Sequence, residues 1–176
     1  MNAEKQAIGS MSVRRLGMPT ARFAWIVVTV GIIAAVASVV TVGLSLQLWT
    51  MFIGWTCFGT GNGDMRRGAA ALACLVIGVL LGMGALIVLG AIAPAAGQWA
   101  LPFVIFILAV VVMLSLLTPP LNSIPGYFLG MTAFFASGLQ PEGHALATIL
   151  SAAFIGALSA GLATIAPQLY DRWHPA

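Results

Sequence analysis

The sequence predicts an all-α integral membrane protein of six helical segments, four long and two short, arranged as two inverted three-segment repeats. Three observations lead there. The residues are 61% hydrophobic and only 6% charged, against roughly a quarter charged in an ordinary soluble domain, and the mean hydropathy is +1.07. The apolar residues fall in long runs separated by breaks rich in Pro, Gly, Asn and Ser. Finally, a seven-residue pattern occurs twice, at equivalent places in the two halves.

Between Phe23 and Tyr170 the only formally charged side chains are Asp64, Arg66, Arg67 and Glu142. Every other stretch in that interval can face hydrocarbon or a neighbouring helix. At about 20 residues per spanning helix, 176 residues hold roughly five to seven crossings and no second domain. Residues 1–22 form a basic leader, expected to be disordered and cytoplasmic. Residues 23–168 form one transmembrane domain, with halves at about 23–94 and 98–168. Residues 169–176 form a short cytoplasmic tail. The leader, the apolar run from Phe23 and the small-residue triplet Ala35-Val36-Ala37 resemble a secretory signal with its cleavage site. The run continues through Val39, Val40 and Val42 to Leu48, which suits an uncleaved first helix better.

Unsatisfied backbone groups cost several kcal/mol in lipid, so each long apolar run is read as helix, there being no β-barrel alternation. The first helix spans about Trp25 to Ser45. A break at Ser45 to Gln47 leads to a short segment, Leu48 to Thr60, ending in Gly61-Asn62-Gly63-Asp64. The third runs from Gly68 to Ala93, stopped by Pro94 and Ala95-Ala96-Gly97-Gln98. The fourth is Leu101 to Leu117, cut by Thr118-Pro119-Pro120, because proline removes a helix hydrogen bond and clashes with the preceding turn. Asn122, Ser123, Pro125 and Gly126 extend that break before a second short segment, Tyr127 to Gly138. The sixth covers His144 to Ile165, ended by Pro167.

Basic residues set orientation. The leader carries Lys5, Arg14, Arg15 and Arg22, and with six crossings Arg66, Arg67 and Arg172 fall on the same, cytoplasmic side, so both termini are cytoplasmic. With the short segments re-entrant, four crossings would remain and Arg66-Arg67 would lie outside, against that rule. Trp49 and Trp99 then mark the outer interface, and Trp25, Tyr127, Tyr170 and Trp173 the inner one. The net charge of +3 therefore reports membrane orientation rather than nucleic-acid binding. Cys57 and Cys74 lie in apolar runs and read as reduced, structural residues.

The repeat aligns Phe52-Ile53-Gly54-Trp55-Thr56-Cys57-Phe58 with Phe128-Leu129-Gly130-Met131-Thr132-Ala133-Phe134 at an offset of 76 residues. Ala69 and Ala71 fall on Ala145 and Ala147. Gly78-x-x-x-Gly82 matches Gly156-x-x-x-Ala160 after a two-residue shift, and these small residues are expected to pack helices closely. Three crossings per half make the repeat inverted. The motif also sits on segments of about 12 residues, some 18 Å of helix, too short for a hydrocarbon core of about 30 Å. Paired short helices in duplicated halves point to a substrate site. Phe52, Gly54, Thr56, Phe58, Phe128, Gly130, Thr132 and Phe134 are therefore the expected solute pathway.

The segments from Phe52 to Phe58 and from Ile124-Pro125-Gly126-Tyr127 to Phe134 resemble the paired Gly- and Phe-rich segments of the YcdZ-like inner-membrane proteins, domain of unknown function 1097. The resemblance covers about Trp25 to Ala166, with a departure at the loop Gly59 to Asp64. It implies an inner (plasma) membrane location and a shape, and no activity.

No nucleotide loop, metal-ligand spacing or nucleophile–base pairing is present, so no enzyme, cofactor or metal is expected. His174 sits in the tail, and His144 starts the sixth helix beside Glu142, where capping is its simplest role. Asp64 with Arg66 and Arg67 reads as a solvated loop with a local ion pair. Asp64, Arg66, Glu142 and His144 are the only candidates for pore mouths. No ionisable residue falls inside a segment, which argues against proton-coupled transport. The expected function is a channel or facilitator for a small neutral or weakly polar solute, in which hydroxyls and aromatic constrictions give selectivity. The competing expectation is a non-transporting assembly or partner-binding protein. The expected partners are the lipid bilayer, the solute and a second copy of the chain, the last through the small-residue faces.

Overall fold

The computed structural model describes residues 20–173. It is all-helical: α1 (Thr20–Gly43), α2 (Leu48–Gly59), α3 (Met65–Ala96), α4 (Ala100–Leu114), α5 (Ile124–Ser137) and α6 (Gly143–Trp173), with 3₁₀ turns at Gly97–Trp99 and Ser115–Leu117. Three helical runs are long and apolar enough to cross a membrane: Ala21–Gly43, Met65–Leu117 and Gly143–Arg172. The middle run is 53 residues, about 80 Å at 1.5 Å each, well over twice a hydrocarbon core of about 30 Å. Its backbone breaks at Gly97, which adopts φ 53°, a conformation only glycine takes cheaply. The legs on either side, α3 and α4, pack on each other. This is the architecture of a multi-pass membrane protein.

Two expected helix ends are overturned. Pro94 lies inside α3, which runs on to Ala96, and Pro167 lies inside α6, which runs on to Trp173. Proline removes one backbone bond, and within a membrane bundle neighbouring contacts can hold the helix past it. Beyond Pro167 those contacts are visible. Arg22 donates from Nε and Nη2 to the two carboxylate oxygens of Asp171, at 2.9 Å each, and the rings of Trp25 and Tyr170 lie 6.4 Å apart. Other boundaries also shift, and α1 already takes in Thr20 to Arg22 of the expected leader. α5 starts at Ile124 with Pro125 in its first turn, where a missing N–H costs nothing. Arg66 and Arg67 belong to the first turn of α3 rather than to a loop, and the tail from Leu169 to Trp173 is helical. Residues 1–19 of the leader and His174 lie outside the described residues.

Packing is most extensive between α3 and α5 and between α2 and α6, with α1 laid along α6 and α4 along α3. The larger core joins Cys57, Leu75, Val79, Phe134, Ile149 and Ala153, and a smaller one Cys74, Val112, Tyr127 and Met131. Both cysteines are free and buried, and the Cys57 thiol donates to the Ala71 carbonyl at 3.2 Å. The Arg22–Asp171 pair joins the start of α1 to the end of α6. The Met65 sulfur, 3.9 Å from Thr164 Oγ1, brings the start of α3 to the same end. Arg22, Arg66, Arg67 and Arg172 therefore gather at one end of the bundle. Glu142 and His144 begin α6 at the other, 20 residues before Thr164, about 30 Å away along the axis.

Reversing the pair in the double variant Arg22→Asp/Asp171→Arg is expected to restore what either single charge reversal disrupts. Deuterium uptake in the first turn of α1 and the last turn of α6 should rise in each single variant and return towards wild type in the double.

Candidate functional site

The two short helices present the repeated motif in the same way. On α2 the buried residues are Thr50, Met51, Gly54 and Cys57, each of the others three or four residues from Gly54 and so on its helix face. On α5 they are Gly126, Tyr127, Gly130, Met131, Ala133 and Phe134. The glycine two residues after each leading phenylalanine is thus turned inward. Phe52 and Phe128 are each 46% exposed, and Thr56 and Thr132, one turn further on, are exposed as well.

Each inward glycine meets the backbone of a long helix. A Cβ at Gly54 would overlap the Ala153 carbonyl, and one at Gly130 the Leu75 carbonyl. From the other side, a Cβ at Gly156 would overlap the Met51 carbonyl, and one at Gly78 the Tyr127 carbonyl. Gly82 faces the ring of Phe134, where a Cβ would stand 3.1 Å from Cδ1, and Ala160 is buried. In lipid, helices gain nothing from burying apolar surface, so close backbone approach and dispersion carry association. Gly78 and Gly156 thus lie against backbone of the short helices, Gly82 against the Phe134 ring, and Ala160 is buried. Within the protomer the three glycine positions are occupied by α2 and α5.

The eight residues expected to line one pathway therefore separate. Gly54 and Gly130 are packing positions with no space beside them. Phe134 is 1% exposed, and Phe58 is half-buried against Gly68 and Gly161. Phe52, Thr56, Phe128 and Thr132 lie on the outside of the protomer. Among the described residues neither Thr56 nor Thr132 makes a side-chain hydrogen bond. By contrast Thr41, Thr60, Ser115, Ser137, Thr148 and Ser159 all donate to a backbone carbonyl three or four residues back.

The four candidate mouth residues also divide. Asp64 caps α3, accepting from the backbone N–H of Arg66 at 2.8 Å and of Arg67 at 3.3 Å. Its other carboxylate oxygen lies 3.5 Å from Arg67 Nε, which is the local ion pair read from the sequence. These residues line a cleft of about 480 Å³ with Thr60, Asn122 and Ser123. Glu142 and His144 are exposed at the opposite end. By sequence alone residues 120–123 are only a break between segments. Their polar composition within an otherwise apolar chain was the available signal that they share a cleft. Thr50, which no sequence motif marks, has a fully buried hydroxyl with no hydrogen bond among the described residues.

The family described as "Protein of unknown function (DUF1097)" matches residues 27–165. The chain belongs to the DUF1097 family. That match covers all six helices, omitting only the ends of α1 and α6, and it includes both short helices and the cleft. No curated protein and no solved structure matches the chain.

Glycine substitution separates the packing positions from the rest. Gly54→Ala, Gly130→Ala and Gly156→Ala are each expected to destabilise by about 1–3 kcal/mol or more, because the obstructing atom is backbone rather than a side chain that can turn away. Gly84→Ala and Gly90→Ala, which meet nothing within 4 Å, should be tolerated. Thermal unfolding in detergent, followed by loss of helical circular dichroism, gives the comparison.

Proposed function

We propose that this DUF1097 protein is a membrane-embedded assembly unit that associates with further copies of itself through the outward faces Phe52–Thr56 and Phe128–Thr132. Its interior is packing rather than pathway. The observation that carries this reading is the orientation of the motif. The leading phenylalanines, Phe52 and Phe128, and the threonines point away from the protomer, while the glycines between them are closed against carbonyls of α3 and α6. A second copy presents the same two faces, so a two-fold contact pairs aromatic and hydroxyl groups on both partners at once.

The same reading takes the protomer as two inverted three-helix halves crossing the bilayer six times. Matched contacts support it. Met51 and Tyr127 are 76 residues apart, as are Gly54 and Gly130; their partners, Gly156 with Gly78 and Ala153 with Leu75, are each 78 apart. Each short helix is thus seated on the long helix of the other half by equivalent atoms. The gathering of the described arginines at one end supports a cytoplasmic assignment of that end in the inner membrane, with both chain termini on that side.

A second reading keeps the chain as a facilitator for a small neutral solute, with the route lying between copies. The observation that favours it is the pair of unbonded hydroxyls of Thr56 and Thr132 on helices only 12 and 14 residues long.

Single-molecule photobleaching in supported bilayers is expected to show dimers or higher species at dilute protein, shifting to monomers in Phe52→Ala/Phe128→Ala. Monomers in the wild type at every protein-to-lipid ratio contradict the assembly reading. Stopped-flow measurement of urea, glycerol, ammonia and water in proteoliposomes divides the two readings. Assembly alone predicts rates equal to protein-free liposomes, whereas an excess rate lost in Thr56→Val/Thr132→Val establishes the facilitator.

A further inference from the structure

We propose that the cleft between the start of α3 and the α4–α5 connection binds a phosphate-bearing anion, presented either by the headgroup of an anionic phospholipid or by a soluble phosphate. The proposal is independent of the assembly reading. The cleft measures about 480 Å³ and its polar lining is Thr60, Asp64, Arg66, Arg67, Asn122 and Ser123. That volume lies within the range of about 300–1,000 Å³ usual for small-molecule sites.

Its charge favours an anion. Two guanidinium groups stand against one carboxylate, and that carboxylate is already committed to the amides of Arg66 and Arg67 and to Arg67 Nε. Arg66 has no acidic partner among the described residues. The remaining described acids are out of reach: Asp171 is paired with Arg22, and Glu142 lies at the far end of the bundle. Guanidinium groups suit phosphate because their planar array of N–H donors matches its oxygens.

The polar wall opposite adds uncharged donors. Ser123 precedes α5 without making a capping hydrogen bond, so its hydroxyl is uncommitted to that helix, and Asn122 beside it is exposed. The position of the cleft fits as well. It lies at the end of the bundle that holds the described arginines, and basic pockets between membrane helices at the bilayer surface receive anionic headgroups.

The test uses the full chain, purified and delipidated, then mixed with equal amounts of phosphatidylglycerol and phosphatidylcholine and examined by native mass spectrometry. Wild type is expected to retain phosphatidylglycerol in preference to phosphatidylcholine, by about fivefold for each arginine engaged. Arg66→Gln/Arg67→Gln should remove the preference, while Arg172→Gln, at the same end but outside the cleft, should keep it. Inorganic phosphate assigns the source. Displacement of phosphatidylglycerol by millimolar phosphate, with a rise in melting temperature in phosphatidylcholine nanodiscs, supports a soluble ligand. Retention undisturbed by phosphate supports the lipid. Equal retention of the two lipids by wild type, with no melting shift in phosphate, overturns the site. So does a preference that survives unchanged in Arg66→Gln/Arg67→Gln.

Discussion

The contact on which the rest of this structure depends is the seating of each short helix on a long one through glycine. Helices of 12 and 14 residues supply only about 18–21 Å of helix, less than a hydrocarbon core of about 30 Å. They hold their place by the helix they lie on. In a bilayer that attachment cannot draw on the hydrophobic effect, because lipid tails are as apolar as leucine. It draws instead on carbonyls of one helix meeting the Cα of a glycine on the other, at Gly54, Gly78, Gly130 and Gly156. Contacts of that kind contribute about 0.5–1 kcal/mol each as weak C–H···O bonds, and the close approach lets the flanking side chains interlock.

That one constraint also decides the direction of the motif. Once the glycine of Phe-x-Gly-x-Thr-x-Phe is turned inward, a helix of 3.6 residues per turn carries the leading phenylalanine and the threonine to the opposite side. Phe52, Thr56, Phe128 and Thr132 are therefore outside as a geometric consequence of where Gly54 and Gly130 must be. The charged residues act elsewhere. Asp64 secures the start of α3 and Arg67 stays with it, while Arg66 lines the cleft with no acidic partner among the described residues.

Much of this was legible in the residues. Composition alone places the chain in a membrane, and the breaks at Ser45 to Gln47, Gly61 to Asp64 and Thr118 to Pro120 fall between helices as read. The family resemblance carried by Phe52 to Phe58 and Ile124 to Phe134 holds over residues 27–165. On α3 and α6, Gly78 and Gly156 lie against backbone of the short helices. What was not legible depends on tertiary contact. Pro94 and Pro167 are helix breakers by local rules, yet α6 continues because Arg22 and Trp25 hold its final turn. The spacing of the repeated motif identified a face but not its direction, since threonine and glycine are both at home in a pathway or a packing seam. Residues 120–123 carried no periodic signal, and only the fold sets them beside Arg66.

Magic-angle-spinning nuclear magnetic resonance of the labelled protein in lipid bilayers tests the seating most directly, through carbon–carbon contacts between Gly54 and Ala153 and between Gly130 and Leu75. Both cross-peaks are expected, together with lipid-acyl contacts from the Thr56 and Thr132 methyl groups in samples diluted to monomer. Absence of both cross-peaks, with water rather than lipid contacting the two threonines, would contradict the account.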